Sequence, residues 1–254
     1  MKHTEFQKIE TKNGQELSAT FYFPDGEMKA AVLIVPAMGV TQKYYASFAS
    51  WLSTQGYLVA TFDYAGIGLS LSGNLRDTSV SITDWAKFDC TAMINAVSTQ
   101  GEGKALYWIG HSLGGQIFGM VPDCRFITKV INIAGGSGYW FESAFSLKWR
   151  AWWLWYIVAP LATRVYGYFP GKRLRKVGDL PGKVMMQWRR WCLNPQYLVG
   201  AEGPEIRNKY RAVVTPISSF SFTDDEFMSK NSIDSFNSFF VRSQMKTIRI
   251  TPEE

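Results

Sequence analysis

Histidine is scarce in this chain: His3 and His111 are the only two in 254 residues. Cysteine is nearly as rare. Cys90, Cys124 and Cys192 are odd in number and far apart, with no C-x-x-C pair. That excludes a disulfide framework and a thiolate metal centre, and points to reduced thiols in a cytosolic protein. No metal site and no organic cofactor is expected. Long apolar runs are also missing. The longest candidate, Ala151 to Ala162, contains Pro160 and falls short of the roughly 18–20 residues a membrane span needs. Met1 to Glu10 is polar and lacks the apolar stretch of a secretory signal, so the default location is cytoplasmic. Charged residues make up 19% of the chain, too few and too mixed in sign for a disordered one.

What is present is apolar: 46% of the residues are hydrophobic, enough for one large core with room for an insertion. The net charge of +6 is unevenly spread. Between Tyr139 and Gly200 lie ten basic residues (Lys148, Arg150, Arg164, Lys172, Arg173, Arg175, Lys176, Lys183, Arg189 and Arg190) against two acidic ones, Glu142 and Asp179. The remainder is slightly acidic. A nucleic-acid binder carries a basic surface together with a recognisable binding motif, and none accompanies this charge, so no nucleic-acid partner is expected.

Hydrophobic periodicity predicts strands at Ala19–Phe23, Ala31–Val35, Tyr57–Asp63, Ala105–Ile109, Val130–Ile133, Val213–Ile217 and Thr247–Ile250. Helices are predicted from Gln42 to Gln55, with Thr41 to cap and Gly56 to end it, from Asp84 to Val97, after Ser112, and from about Ile233 to Val241. Strands alternating with helices imply parallel βαβ units, hence an α/β fold with a mostly parallel sheet and helices on both faces. The stretch Tyr139–Gly200 breaks the alternation and holds seven of the ten tryptophans. It reads as an inserted helical cap. The division is therefore a core over 1–138, the insertion over 139–200 and a second core part over 201–254.

One motif carries chemistry. Gly110-His111-Ser112-Leu113-Gly114-Gly115 matches G-x-S-x-G. The pattern alone has little specificity, but an apolar strand runs into it and a short helix leaves it. That is the strand–turn–helix of a nucleophile elbow, which lifts the serine oxygen above the strand end. With this motif the chain resembles the α/β-hydrolase superfamily over nearly its whole length, in the manner of capped esterases, lipases and serine-peptidase-like members. Three further segments fit the resemblance: Val35-Pro36-Ala37-Met38-Gly39, where the family places its oxyanion loop; Asp63-Tyr64-Ala65-Gly66-Ile67-Gly68-Leu69-Ser70, similar to its D-x-x-G-x-G-x-S turn; and Ser221-Phe222-Thr223-Asp224-Asp225, where it carries its acid.

The resemblance implies acyl transfer from an apolar small-molecule ester. Ser112 is the nucleophile. The backbone N–H groups of Leu113 and Met38 form the oxyanion hole, although Pro36 stands where histidine is common in the family and Ala37 where glycine is common. Asp225 is favoured over Asp224 as the acid. Asp63 is assigned to its glycine turn. The resemblance leaves the substrate, the oligomeric state and the choice among esterase, thioesterase and acyltransferase open. A catalytically inactive relative that binds a small molecule under its cap is the alternative.

The missing part is the base. His111 adjoins the nucleophile and in an elbow points away from it; His3 belongs to the far end of the sheet. In the family the catalytic histidine follows the last core strand, for which Thr247–Ile250 is the candidate, and a closing helix comes after it. The expectation is a C-terminally incomplete chain, inactive in this form. It is also expected to be less stable and more aggregation-prone than an extended version, because parallel sheets are buried on both faces. A cooperative, high-melting transition of the short chain would contradict this. The tryptophan-rich insertion leaves two readings open: a packed lid lining an apolar pocket, or an interfacial segment making peripheral membrane contact, since Lys148 to Phe169 mixes Trp and Tyr with Arg and Lys.

Overall fold

In the computed structural model, which describes residues 3–122, 124–143, 145–175 and 177–253, the chain opens with a hairpin of β1 (Thr4–Glu10) and β2 (Glu16–Tyr22). Lys176, one of the basic residues of the insertion, lies outside the described residues. β3 (Ala30–Val35) and β4 (Tyr57–Phe62) flank α1 (Ala46–Thr54), which a 3₁₀ turn at Gln42–Tyr45 precedes. A helical stretch follows from α2 (Ile82–Asp84) through a π turn at Trp85–Asp89 into α3 (Cys90–Gln100). Its start is fixed by a capping box between Ser81 and Asp84. β5 (Leu106–His111) leads into α4 (Leu113–Gln116), and β6 (Lys129–Ile133) closes this half.

The chain then runs through α5 (Phe145–Trp153), a π turn at Leu154–Val158, α6 (Ala159–Tyr166), the short pair β7 (Tyr168–Phe169) and β8 (Leu180–Pro181), α7 (Gly182–Cys192), α8 (Tyr197–Ala201) and α9 (Pro204–Ala212). It returns to the sheet at β9 (Ile217–Phe222), followed by α10 (Lys230–Asn237) and β10 (Met245–Ile250).

The sheet has eight strands in the order β1-β2-β4-β3-β5-β6-β9-β10. All pairs are parallel from β4 to β10; β1 and β2 add an antiparallel edge. After β3 the chain moves one way, to β4, and after β5 it moves the other way, to β6. The crevice between the carboxyl ends of β3 and β5 is therefore the topological switch point, where open α/β sheets bind their ligands.

Strand alternation sorts the core. Ala31, Leu33 and Val35 point into the large cluster, which also holds α3, Trp108, Trp155, Trp191 and Phe236. Val32 and Ile34 point to the other face, into a smaller cluster with Tyr45 and Ala49 of the α1 region. That second face continues past α1 through Tyr107, Ile131, Ile133, Phe220 and Ile250, all half-exposed.

Three sequence expectations shift. The edge strand β1 was missing from them, because its alternation of half-buried and exposed residues carries little apolar signal. The strand expected at Val213–Ile217 begins only at Ile217: Pro216 bars the earlier start, and the serines of Ile217–Phe222 mask a strand buried at four of its six positions. The helix expected to reach Val241 ends at Asn237.

Candidate active site

β5 is buried at Leu106 and from Trp108 to Gly110, with Tyr107 and His111 half-exposed, and the residue after His111 turns sharply. Ser112 has φ +48° and ψ −111°, a conformation that costs of order 1–3 kcal/mol for a side chain with a Cβ. The surroundings hold it there. Ser112 N–H donates to Ile133 O on the neighbouring strand at 2.8 Å, and the N–H groups of Gly115 and Gln116 both donate to Ser112 O at 3.0 Å. The glycines are needed for close approach. A Cβ on Gly114 would meet the backbone of β3 at Val35 O and, at 2.6 Å, Val35 C. A Cβ on Gly115 would strike the buried amide of Asn132. The helix after the serine is thus pressed onto the end of β3, and the oxyanion loop and the elbow lie side by side.

That loop, Pro36 to Gly39, is held from three directions. Ala37 N–H donates to Tyr45 Oη at 2.9 Å, and Tyr64 Oη donates to Pro36 O at 3.2 Å. Gly39 lies against the backbone of Gly178 and the side chain of Leu180. Among the described residues, neither the Met38 N–H nor the Leu113 N–H is taken by an acceptor in the protein. Two open donors flanking a nucleophile are what an oxyanion hole requires. Met38 and Leu113 are themselves buried, and Ser112 is half-buried.

Asp225 follows β9 at the same end of the sheet. Its Oδ1 accepts the N–H groups of Phe227 and Met228, at 2.9 and 3.0 Å, which fixes the carboxylate in its loop. Asp224 is exposed. Burial lowers the His111 pKa below its ordinary value, and the negative charge of Asp225 opposes that shift. The imidazole is therefore neutral at pH 7. It is turned toward Tyr45, whose Oη lies 3.0 Å from Nδ1, and stacks on Tyr44. Tyr45 Oη thus bridges Ala37 N–H and His111 Nδ1, the tautomer of the imidazole deciding which of the two donates across the second contact.

Among the described residues no side chain bonds Ser112 Oγ. His3 pairs with Glu5 and Phe23, beside the amino-terminal ends of the parallel strands and so at the opposite end from Ser112. Asp63 is used up within its turn: Oδ1 accepts Gln42 N–H at 2.7 Å and Oδ2 accepts Leu69 N–H at 2.8 Å.

Sequence reasoning missed Tyr45, which falls simply within the helix predicted from Gln42 to Gln55. One hydroxyl joins the oxyanion loop to the residue before the nucleophile. Tyr45→Phe leaves the Ala37 N–H and His111 Nδ1 without this partner in a buried place. It should lower stability by about 1–3 kcal/mol, read from urea denaturation. An unchanged midpoint would mean that water replaces the hydroxyl.

Two cavities occur elsewhere, one among Trp149, Arg150, Trp153, Leu154 and Val158 and one along the β1–β2 hairpin. Neither is lined by Ser112. Among the described residues no cluster of His, Cys, Asp and Glu could hold a metal ion, and no helix is long and apolar enough to cross a membrane.

Comparison with known proteins bears on the fold. The family described as serine aminopeptidase, S33, matches residues 26–132, from before β3 to the end of β6. No curated protein matches the sequence. Among solved structures, a soluble variant of monoglyceride lipase from Saccharomyces cerevisiae is similar with TM-score 0.69 and 17% identity, covering 99% of this chain and 87% of that one. A thermostable carboxyl esterase from Bacillus coagulans gives TM-score 0.66 and 14% identity, covering 99% and 91%. An esterase from Pyrococcus furiosus gives 0.65 and 14%, covering 98% and 83%. At these identities the likeness is one of fold.

Proposed function

We propose that this chain, which has the α/β-hydrolase fold and matches the serine aminopeptidase, S33, family over residues 26–132, is a serine hydrolase acting on small-molecule carboxylic esters of apolar acids. The observation that carries this reading is Ser112 on a strained turn at the switch point, beside two unpaired backbone donors. Ser112 Oγ attacks the ester carbonyl, the Met38 and Leu113 N–H groups receive the developing oxyanion, and the alcohol leaves as the acyl-enzyme forms. Water then releases the acid. Asp225 is the acid that would stabilise the base once protonated, and the proton taken from Ser112 passes to the departing alcohol. The insertion over 139–200 acts as a cap, with Leu180 and Gly178 against the oxyanion loop. The printed activities of the similar esterases and the lipase support a carboxylic ester as substrate.

The proton leaving Ser112 needs an acceptor, and neither His111 nor His3 is placed to take it. General-base catalysis is worth about 10²–10⁴-fold. The 254-residue chain alone should therefore react slowly with a fluorophosphonate probe. Added imidazole should accelerate labelling by about a hundredfold or more, the low end of that range. Ser112→Ala should abolish it. The second reading, an inactive binding protein of the same fold, is favoured by His111 being committed to Tyr45. If imidazole gives no labelling in folded protein, the second reading replaces the first.

A further inference from the structure

The helical run from Phe145 to Tyr166 carries an apolar stripe that faces solvent, although Trp149 stacks on Trp152 of the same helix. Trp149, Trp153, Leu161 and Val165 are 71%, 51%, 58% and 72% exposed. In an uninterrupted α-helix, at about 100° per residue, Leu161 would stand about 80° round from Trp153. The π turn at Leu154–Val158 absorbs one extra residue, so Leu161 returns to within about 20° of Trp153. All four side chains then share a strip about 60° wide. Leu147 and Ala159, on the opposite side, are buried in the core, as is Trp155 of the π turn.

The strip is bordered by positive charge. Lys148 and Arg150 project about 100° to either side of Trp149, and Arg164 is exposed beside Val165. Lys148 Nζ lies 3.9 Å from the ring centre of Phe141, itself exposed. At the far end Arg173 donates to Tyr166 Oη, which brings the exposed Lys172, Arg173 and Arg175 alongside, and Gly167 rests against Arg76. The two acids of the insertion, Asp179 and Glu142, offset only part of this charge, since ten basic residues stand against them. Asp179 accepts the Lys172 N–H, and Glu142 has a carboxylate oxygen buried.

We propose that this face docks the protein onto a membrane surface carrying anionic phospholipids. Tryptophan and leucine enter the boundary between headgroups and acyl chains while flanking lysine and arginine meet lipid phosphates. Charge complementarity selects the occupant: an exposed apolar stripe bordered by Lys148, Arg150 and Arg164 matches an anionic interface. The proposal is independent of the chemistry at Ser112.

The test is sedimentation with vesicles of phosphatidylcholine, with and without phosphatidylglycerol, and quenching of tryptophan emission by brominated lipid. The wild-type chain should bind the phosphatidylglycerol vesicles at least about tenfold more tightly, lose that preference in high salt, and be quenched. Trp149→Ser with Trp153→Ser should weaken binding about tenfold or more, from the loss of two buried apolar side chains. Arg150→Gln with Arg164→Gln should reduce the lipid preference alone. Thermal melts check folding, and Leu161→Ser with Val165→Ser gives a second apolar pair if the tryptophan pair unfolds. The proposal fails if both apolar pairs, still folded, bind as wild type does, or if no quenching occurs. It also fails if the stripe instead drives a dimer that the tryptophan pair dissolves.

Discussion

Gly114→Ala will destabilise the protein by more than about 3 kcal/mol, the scale of severe backbone and packing conflicts. The new methyl group would overlap Val35 O and lie 2.6 Å from Val35 C and 3.0 Å from Pro36 O. None of these atoms can swing aside as a side-chain end could. Val35 is the last residue of a central strand, paired with β5 through Gly110. Gly114 O also accepts the Trp108 Nε1–H at 3.0 Å, so moving the helix away disturbs a fully buried indole. Either β3 shifts and carries the oxyanion loop with it, or α4 lifts and Ser112 leaves its strained conformation. The urea midpoint should therefore fall steeply, and any fluorophosphonate labelling should be lost in whatever protein stays folded. A variant with wild-type stability would show that the β3–elbow contact is slacker than these distances imply.

This contact also marks what could be read in advance. The G-x-S-x-G pattern implies a tight turn because only glycine allows the helix to lie so near the strands, and the structure supplies the atoms that make it so. Asp63 is likewise legible, since a carboxylate followed by a glycine-rich turn has backbone donors within reach. Tyr45 is not. Its value lies in the meeting of Ala37 N–H and His111 Nδ1, from two other segments, and local periodicity records only that a ring belongs on that helix face. The outer stripe of the insertion is obscured for a different reason. Trp153 and Leu161 have helical spacing only once the π turn is known, and nothing in Leu154–Val158 announces it. β9 is hidden by its serines, which are buried in the sheet yet read as a loop in the sequence.

Asp89→Asn is expected to stabilise the protein, and by an amount that grows with pH. Asp89 ends the first π turn and is 1% exposed, among Tyr64, Trp85 and Cys90. Its Oδ2 accepts the Ala65 N–H at 2.8 Å, but Oδ1 has no partner among the described residues. Burial outweighs that single hydrogen bond and pushes the pKa up to about 8, with the charge of Asp84 adding to the rise. In the unfolded chain the group titrates near its ordinary value of 3.8. The folded state therefore holds a proton that the unfolded state releases between these values, and stability falls as pH rises from about 4 to about 8. Four pH units at about 1.4 kcal/mol each set a ceiling near 5–6 kcal/mol, which local relaxation and water entry reduce to about 2–5 kcal/mol. Asparagine keeps the acceptor for Ala65 and never ionises, so it escapes this loss. Urea denaturation of both proteins should give similar stabilities at pH 4 and a clear advantage for the variant at pH 8.5. The consequence reaches the candidate site, because Ala65 adjoins Tyr64, whose hydroxyl holds Pro36 O at the head of the oxyanion loop. A stability difference that is the same at both pH values would mean that Asp89 is ionised in the folded protein throughout, and that some partner for Oδ1 forms in solution.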